Sequence, residues 1–417
     1  MINNLFAKVK EHHFIINLIV LALLYFVNTF WQGIVFVIAP YLLIIAFMEG
    51  KLKGFYYLSF SVAFVCIFKL GTNIYLLLII GAIYILATLI YNLVKEHKTL
   101  NKPLLIMLGV MLAYLLLPLH AYTTMLFVKI FVIVMLFLVL EFFMLNKEDM
   151  DIKLLFWTFA LGIIVSSVYG LFYSVSPYLK SCYTIHMYDT FPRFSGLIEH
   201  PNSFAMICMI CVAMLAYLLL TYDSKIFTAI LLGLVTIIPI FTLSKAYLLI
   251  VTLCYGLMWL MFTKKHPKQG FILLGIGMVG LIVFYAIFHS IINAILGRFI
   301  SSFIDKNAGF NLDQITTGRT ELWVQYMSQW ISSPYNIFFG FGLNAVRPFR
   351  ESVHNVFLSA LYEMGIVGFI LFFTVLVYEI VRFIKPKNTK FHLSALLPLL
   401  VTILYCLSED FIFYLFI

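Results

Sequence analysis

The sequence has 417 residues, of which 64% are apolar and 11% charged, and its mean hydropathy is +1.06. Soluble proteins are nearer half apolar and a quarter charged, and a folded surface cannot display this much apolar area. The composition therefore excludes a soluble enzyme, a DNA-binding protein and a secreted domain. The formal net charge of +9 does not change this, because Lys and Arg in a membrane protein mostly report topology.

Long apolar runs divide the chain, and each is typical of a helix that crosses a membrane, which needs about 20 apolar residues. Barrel strands would alternate in polarity instead. The expected fold is an all-α polytopic membrane protein, with residues 1–417 as a single integral membrane domain. Thirteen spans are predicted, or twelve if one of the shorter ones is not a span, at 14–30, 33–48, 54–70, 73–94, 103–119, 123–145, 153–174, 201–221, 225–242, 244–262, 270–292, 355–384 and 392–416.

The 27 Lys and Arg residues fall into two sets when the N-terminus is placed in the cytoplasm and the spans alternate. Seventeen, nearly all Lys, lie on the cytoplasmic side, as the positive-inside rule expects. The external set holds five of the six arginines, namely Arg193, Arg298, Arg319, Arg347 and Arg350. Arginine grips phosphate or carboxylate with two parallel N–H groups, so this set predicts an external anionic ligand. Salt bridges to nearby Asp and Glu are the alternative for any single arginine.

Two polar stretches interrupt the spans, at 175–200 and 293–354, and both are expected on the external side. Loops longer than about 15 residues are usually functional or disordered. In the second, Trp323, Tyr326 and Trp330 recur at helical spacing, which predicts a helix near 320–331. The 293–354 loop is therefore expected to be partly helical and to form a cap on the outer membrane surface.

Four short segments carry the residues that suggest chemistry: 191–202, 242–247, 316–323, and 340–342 followed by 352–358 and 363–368. Lys245 is an ionisable group between two apolar runs, and such groups at membrane depth are functional by default. Arg319 is expected in the first turn of a helix capped by Thr316 or Thr317, where the helix dipole disfavours a cation unless an anion is nearby. His354 is expected at the outer start of a long span.

These segments resemble, in order, the superfamily of bacterial O-antigen ligases and O-antigen polymerases. The matching stretches are R-F-S-G-L-I-E-H-P-N (193–202), T-L-S-K (242–245), T-G-R-T-E-L-W (317–323), G-F-G (340–342) and H-N-V-F-L…E-M-G-I-V-G (354–368). The resemblance implies a GT-C-like membrane glycosyltransferase in the bacterial cytoplasmic (inner) membrane. Its N-terminus would be cytoplasmic and its active site extracytoplasmic.

The activity implied by the resemblance is the transfer of a saccharide from a polyprenyl diphosphate at the outer leaflet. A polymerase joins two such lipid-linked repeat units into O-antigen or capsule, and it is the favoured expectation. The alternative is a ligase that transfers the glycan to lipid A-core, because the motifs do not separate the two acceptors. A transporter of lipid-linked saccharide is a more remote alternative, which Lys69 and Lys129 near outer span ends keep open.

The resemblance also implies roles for single residues. Arg193, Arg319 and Lys245 would bind the diphosphate, and His354 would act as general base on the acceptor hydroxyl. The supporting residues would be Glu199, His200, Asn202, Asn355, Arg347 and Arg350. The implied enzyme needs neither metal nor cofactor and binds no nucleic acid, and a chain-length regulator is a further candidate partner. The family often has Arg where this chain has Lys245, so bidentate binding is lost at that position.

Overall fold

The computed structural model describes residues 2–70, 74–116, 126–176, 185–188, 191–198, 200–222, 225–303, 319–343, 353–384, 394 and 396–407. These residues are mostly helical, and six of their helices are long and apolar enough to cross a membrane: Leu76–Val94, Lys129–Asn146, Ile152–Gly170, Pro201–Thr221, Lys245–Lys264 and Val356–Arg382. The prediction of a helical multi-pass membrane protein is thereby confirmed.

Fifteen α-helices are described within these ranges. They are α1 (Ile2–Asn28), α2 (Val35–Met48), α3 (Lys53–Ser61), α4 (Leu76–Val94), α5 (Lys102–Leu116), α6 (Leu126–Asn146), α7 (Ile152–Gly170), α8 (Pro201–Thr221), α9 (Lys225–Ile237), α10 (Lys245–Lys265), α11 (Pro267–Phe303), α12 (Arg319–Trp330), α13 (Pro334–Phe339), α14 (Val356–Ile384) and α15 (Leu396–Cys406).

Other predicted spans form shorter apolar helices, including Val35–Met48, Lys102–Leu116 and Leu396–Cys406. A helix of 14 residues, such as α2, is about 21 Å long at 1.5 Å per residue, whereas the hydrocarbon core is about 30 Å thick. The sequence therefore places apolar helices well but does not fix how many of them cross the membrane.

Two small β-ladders accompany the helices. Lys69–Leu70 (β1) pairs antiparallel with Ile74–Tyr75 (β2), at the junction of the predicted spans 54–70 and 73–94. The first of these spans is also broken, because α3 ends at Ser61 and residues 62–68 form a 3₁₀ helix with a non-helical Phe64. The second ladder pairs Ile185–Tyr188 (β3) with Phe191–Phe194 (β4), inside the predicted 175–200 loop.

The helix α11 also departs from the prediction, since it continues past residue 292 to Phe303 with a kink at Phe288. The predicted 293–354 loop therefore begins as helix, and further on it contains α12 and α13.

The chain divides into two compact units, and the first consists mainly of Met1–Lys102 and Met135–Tyr247. Its core is aromatic: the Tyr25 ring lies 4.7 Å from Phe64 and 5.3 Å from Phe68. The Tyr25 hydroxyl lies 2.5 Å from Ser61 Oγ. The helix is irregular at Phe64, and two residues later the N–H of Cys66 donates outside the helix, to the carbonyl of Leu197 at 3.1 Å. This bond holds residues 194–198 against the core.

An ion-pair network joins three connections in the first unit. Lys51 Nζ lies 2.5 Å from Glu96 Oε1, and Lys98 Nζ lies 2.9 Å from the other Glu96 oxygen. Asp149 lies 3.6 Å from Lys51. The hydrogen bonds from Lys51 and Lys98 hold the pKa of the Glu96 carboxyl below its ordinary value. The network thus ties the connections that follow α2, α4 and α6.

The second unit comprises Pro103–Val134 and Leu248–Phe416. Within it, α12 packs on the first turns of α14 through a small cluster of buried Tyr326, Val353 and Tyr362. Tyr326 and Tyr362 meet edge to face at 4.9 Å, and the Tyr362 hydroxyl donates to Gln329 Oε1 at 3.1 Å. The cluster fixes α12 against the residues that surround His354.

Candidate functional site

Arg193 lies on β4 and is buried, with only 8% of its surface exposed. The chain that follows it is also buried, and the Phe194 ring packs edge to face on Phe204 of α8 at 5.7 Å. Together with the Cys66 N–H bond to Leu197, this packing holds the Arg193 side chain within the core. Arg193 is therefore not an interfacial residue that extends toward solvent.

The guanidinium of Arg193 joins its own predicted segment to a second one. Its Nε donates to the carbonyl of Thr242 at 2.7 Å, and an Nη group donates to Asn202 Oδ1 at 2.6 Å. The structure thus brings the R-F-S-G-L-I-E-H-P-N stretch and the T-L-S-K stretch together. We call Arg193, His200, Asn202 and Thr242–Lys245 the Arg193 site.

Two long helices begin at the Arg193 site. His200 caps α8, since its Nδ1 accepts from the Asn202 N–H at 3.3 Å, and Pro201 occupies the first helical position. Ser244 caps α10, since its Oγ accepts from the Tyr247 N–H at 3.4 Å. The turn into α10 passes through Leu243, whose φ of 53° is left-handed.

Lys245 is the first residue of α10 and is half-buried. A helix N-terminus carries partial positive charge, so a cation there is disfavoured unless an anion is close. Helix N-termini are also natural phosphate sites, because their N–H groups point at the ligand. The Arg193 site therefore combines a guanidinium, an ammonium and two helix starts, an arrangement suited to an anion.

Arg319 stands in the same position on α12 as Lys245 on α10, since α12 begins with it. Its side chain is half-buried, whereas Glu321 is exposed. The expected cap at Thr316 or Thr317 lies outside the described residues. The aromatic spacing predicted a helix near 320–331, and α12 covers Arg319–Trp330.

His354 has a left-handed backbone, with a φ of 50°. For a residue with a side chain this conformation costs about 1–2 kcal/mol, and it persists only where the surroundings impose it. Hydrogen bonds hold both neighbours of His354 in place. The carbonyl of Val353 accepts from Trp323 Nε1 at 2.8 Å, and Asn355 caps α14 by accepting from the N–H groups of Phe357 and Leu358 at 3.0 and 3.1 Å.

The G-F-G and E-M-G stretches pack against each other. Helix α14 breaks at Gly365, where φ is 62°, and the N–H groups of Phe341 and Gly342 donate to the freed carbonyls of Tyr362 and Glu363 at 2.9 and 2.7 Å. A Cβ on Gly365 would lie 2.4 Å from the Phe338 carbonyl, and one on Gly340 would lie 2.5 Å from the Gly365 nitrogen. Only glycine fits at either position, so the two motifs form one element. We call residues 340–343 the G-F-G turn, and we call Val353–Asn355, with this turn and the Gly365 break, the His354 site.

An open, mostly apolar groove of about 470 Å³ runs along α12. Its two most exposed apolar side chains are Val324 and Ile331, at 64% and 58%. The groove is lined by Thr320, Trp323, Val324, Met327, Ser328, Ile331 and Leu358.

Three predicted supporting residues, Glu199, Arg347 and Arg350, lie outside the described residues. His200, Asn202 and Asn355 are described, and all three act as helix caps or partners of Arg193. Sequence reasoning gave Lys129 no part in the site, yet its Nζ donates to the carbonyl of Leu343 in the G-F-G turn. A cation at the start of an apolar helix was the available signal.

Among the described residues, no three His, Cys, Asp or Glu side chains come together as a metal-binding group. Cys208 and Cys211 are buried in α8, where a thiol packs as a small apolar group. No family model, curated protein or solved structure matches this chain.

Proposed function

We propose that the protein polymerises oligosaccharide repeat units linked to a polyprenyl diphosphate, at the outer leaflet of the bacterial inner membrane. The observation that carries the proposal is the Arg193 guanidinium, which holds the T-L-S-K and H-P-N segments together at 2.7 and 2.6 Å. Two segments of the resemblance thus lie together around one cation, which supports an anion site there. The identity of the anion as a diphosphate is taken from the family that the five segments resemble in order.

In the proposed reaction, an acceptor hydroxyl attacks the anomeric carbon of the lipid-linked saccharide. The bond from that carbon to the diphosphate oxygen breaks, and the electron pair leaves with the polyprenyl diphosphate. His354 takes the hydroxyl proton, a task suited to imidazole because its charge changes near neutral pH. The resemblance assigns neutralisation of the leaving group to Arg193, Lys245 and Arg319, so catalysis would be mainly positioning and charge stabilisation.

The left-handed backbone of His354, which its hydrogen-bonded neighbours hold in place, supports the assignment of this residue as the base. Strain of this kind clusters at functional sites, where it fixes a side chain in advance. Support for the lipid lies in the apolar groove along α12, which begins one residue after Arg319. A cation followed by apolar surface suits an anionic group attached to a hydrocarbon chain.

The direct test supplies purified protein in lipid vesicles with a polyprenyl-diphosphate-linked repeat unit. We expect glycans of increasing length and one polyprenyl diphosphate released for each bond formed, with EDTA leaving the rate unchanged. Lipid A-core is added in a parallel reaction. Transfer to lipid A-core without elongation would replace the polymerase by the ligase. Movement of the intact donor across the vesicle, without bond formation, would contradict a glycosyltransferase altogether.

A further inference from the structure

The G-F-G turn is bonded to three helices of the second unit. Besides the two bonds to α14, the N–H of Leu343 donates to the carbonyl of Tyr114 near the end of α5, at 3.0 Å. The carbonyl of Leu343 accepts from Lys129 Nζ, one turn into α6. Three successive N–H groups and one carbonyl of the turn are therefore held from outside it. Lys129 provides the only side chain among these four partners.

Lys129 stands at the start of the apolar stretch Lys129–Asn146, whose mean hydropathy is 2.3. An ammonium group in such a helix is costly, and it is a functional candidate by default. The hydrogen bond from this group to the carbonyl of Leu343 offsets part of the cost.

A short series of contacts leads from the turn to His354. The Phe341 ring stacks on Tyr362 with centroids 4.5 Å apart and planes at 15°. Tyr362 meets Tyr326 of α12 edge to face at 4.9 Å. One turn earlier on α12, Trp323 Nε1 holds the Val353 carbonyl at 2.8 Å, directly before His354.

We propose that Lys129 is a positioning residue: its ammonium group fixes the G-F-G turn and, through the aromatic contacts, the backbone of His354. The functional part of this inference rests on the proposed glycosyl transfer, in which His354 is the base. The structural part does not, since it concerns only how firmly the turn and the His354 segment are held. Lys129 does not touch the substrate in this account.

The experiment compares Lys129→Met with Lys129→Arg, which keeps a charged donor, and with Lys268→Met, which removes an exposed lysine of the same unit. Amide hydrogen exchange is measured on the purified full-length proteins. In Lys129→Met we expect exchange of residues 341–343 and 353–356 to accelerate about tenfold, because a hydrogen bond to a charged donor is lost. Lys129→Arg and Lys268→Met should leave these amides as they are. Unchanged exchange in Lys129→Met would overturn the inference.

Kinetics on the same proteins then separate positioning from ligand binding. For Lys129→Met we expect kcat to fall about tenfold with the donor KM unchanged, and Lys129→Arg to restore most of it. A raised donor KM with normal kcat would overturn the inference, because Lys129 would then contact the donor. If wild-type protein forms no glycan, the proposed function fails while the exchange measurement still decides the structural part. Should Lys129→Met not accumulate, Lys129→Gln, a neutral donor, should show intermediate exchange.

Discussion

The Arg193 site and the His354 site are held in different ways. At the first, a buried side chain connects two segments, since the guanidinium of Arg193 bonds to Thr242 and to Asn202. At the second, backbone groups bond to each other, since the N–H groups of Phe341 and Gly342 donate to carbonyls of the broken helix α14. The first site is held by one charged side chain, whereas most bonds of the second join backbone groups, with Lys129 and Trp323 as its side-chain donors.

This difference indicates what each site is suited to do. A buried guanidinium that two hydrogen bonds already hold is fixed before a ligand arrives, which favours binding a charged group. A left-handed histidine between two anchored neighbours presents a single reactive side chain in one place, which favours proton transfer. The following predictions test that division, from the largest expected effect to the smallest.

Replacing His354 by Asn should separate chemistry from backbone strain. Asn tolerates the left-handed conformation, so we expect stability to be kept or raised, while loss of the base lowers the glycosyl-transfer rate by about 10²- to 10⁴-fold. The turnover number and the unfolding temperature are both measured. His289→Ala, on an exposed histidine of α11, serves as the control and should keep wild-type activity. Normal turnover in the His354→Asn variant would remove His354 from the role of base.

Replacing Gly365 by Ala should destabilise the packed backbone of the His354 site. The new Cβ would meet the Phe338 carbonyl at 2.4 Å, and φ of 62° adds strain. We expect a loss of about 3 kcal/mol or more in stability, seen as a lower unfolding temperature or poor accumulation in the membrane. The matched control is Gly256→Ala in α10, where a Cβ meets no atom within 4 Å. Equal behaviour of the two variants would contradict the close packing of the two glycine motifs.

Replacing Arg193 by Ala should lower donor affinity about 10- to 100-fold, because two charge-assisted hydrogen bonds that order the site are lost. Arg193→Lys keeps the charge but not the fork, and we expect it to recover only part of the affinity. Donor binding is measured by titration with the polyprenyl-diphosphate-linked repeat unit in detergent. If both variants bind as well as wild type does, the Arg193 site is not where the diphosphate binds.

Replacing Ser244 by Ala removes the cap of α10 and should cost about 1 kcal/mol. We expect a small drop in unfolding temperature and a weaker effect on donor binding than at Arg193. Ser244→Thr retains a hydroxyl and should behave as wild type. An effect of Ser244→Ala as large as that of Arg193→Ala would mean that the helix start, and not the guanidinium, organises the first site.

The smallest effect is expected at Glu96, which belongs to neither site. Its pKa is lowered by Lys51 and Lys98, so the carboxylate stabilises the folded state above the ordinary carboxyl pKa, and this stability is lost as the pH falls through the lowered value. Since Glu96 is partly exposed, the contribution is below about 1 kcal/mol. Glu96→Gln should flatten the acid limb of an unfolding-temperature profile slightly. No change in that limb would mean that the network contributes nothing measurable.

The sequence predicted well what depends on local pattern. Apolar runs gave the helices, and the spacing of Trp323, Tyr326 and Trp330 gave α12. The predicted spans 201–221, 244–262 and 355–384 also begin within one residue of the starts of α8, α10 and α14. The assignment of the motif segments to glycosyl transfer stays a prediction.

What the sequence could not show are the contacts between distant segments. The bond from Arg193 to Thr242 joins residues 49 apart, and no local pattern encodes such a partner. The pairing of Gly340 with Gly365 likewise arises from tertiary packing. The break within 54–70 could not be predicted for another reason. An α-helix and a 3₁₀ helix can have the same apolar composition, so composition alone does not distinguish them.

The irregular stretch at 62–68 has a consequence for anyone who redesigns this protein. A regular α-helix there would bond the Cys66 N–H to the carbonyl four residues earlier. That N–H instead donates to Leu197, four residues beyond Arg193. An engineer who idealised the helix for higher stability would therefore release the loop that carries the arginine. The 3₁₀ segment anchors the loop through this one hydrogen bond, and a regular α-helix in its place would hold Arg193 less firmly.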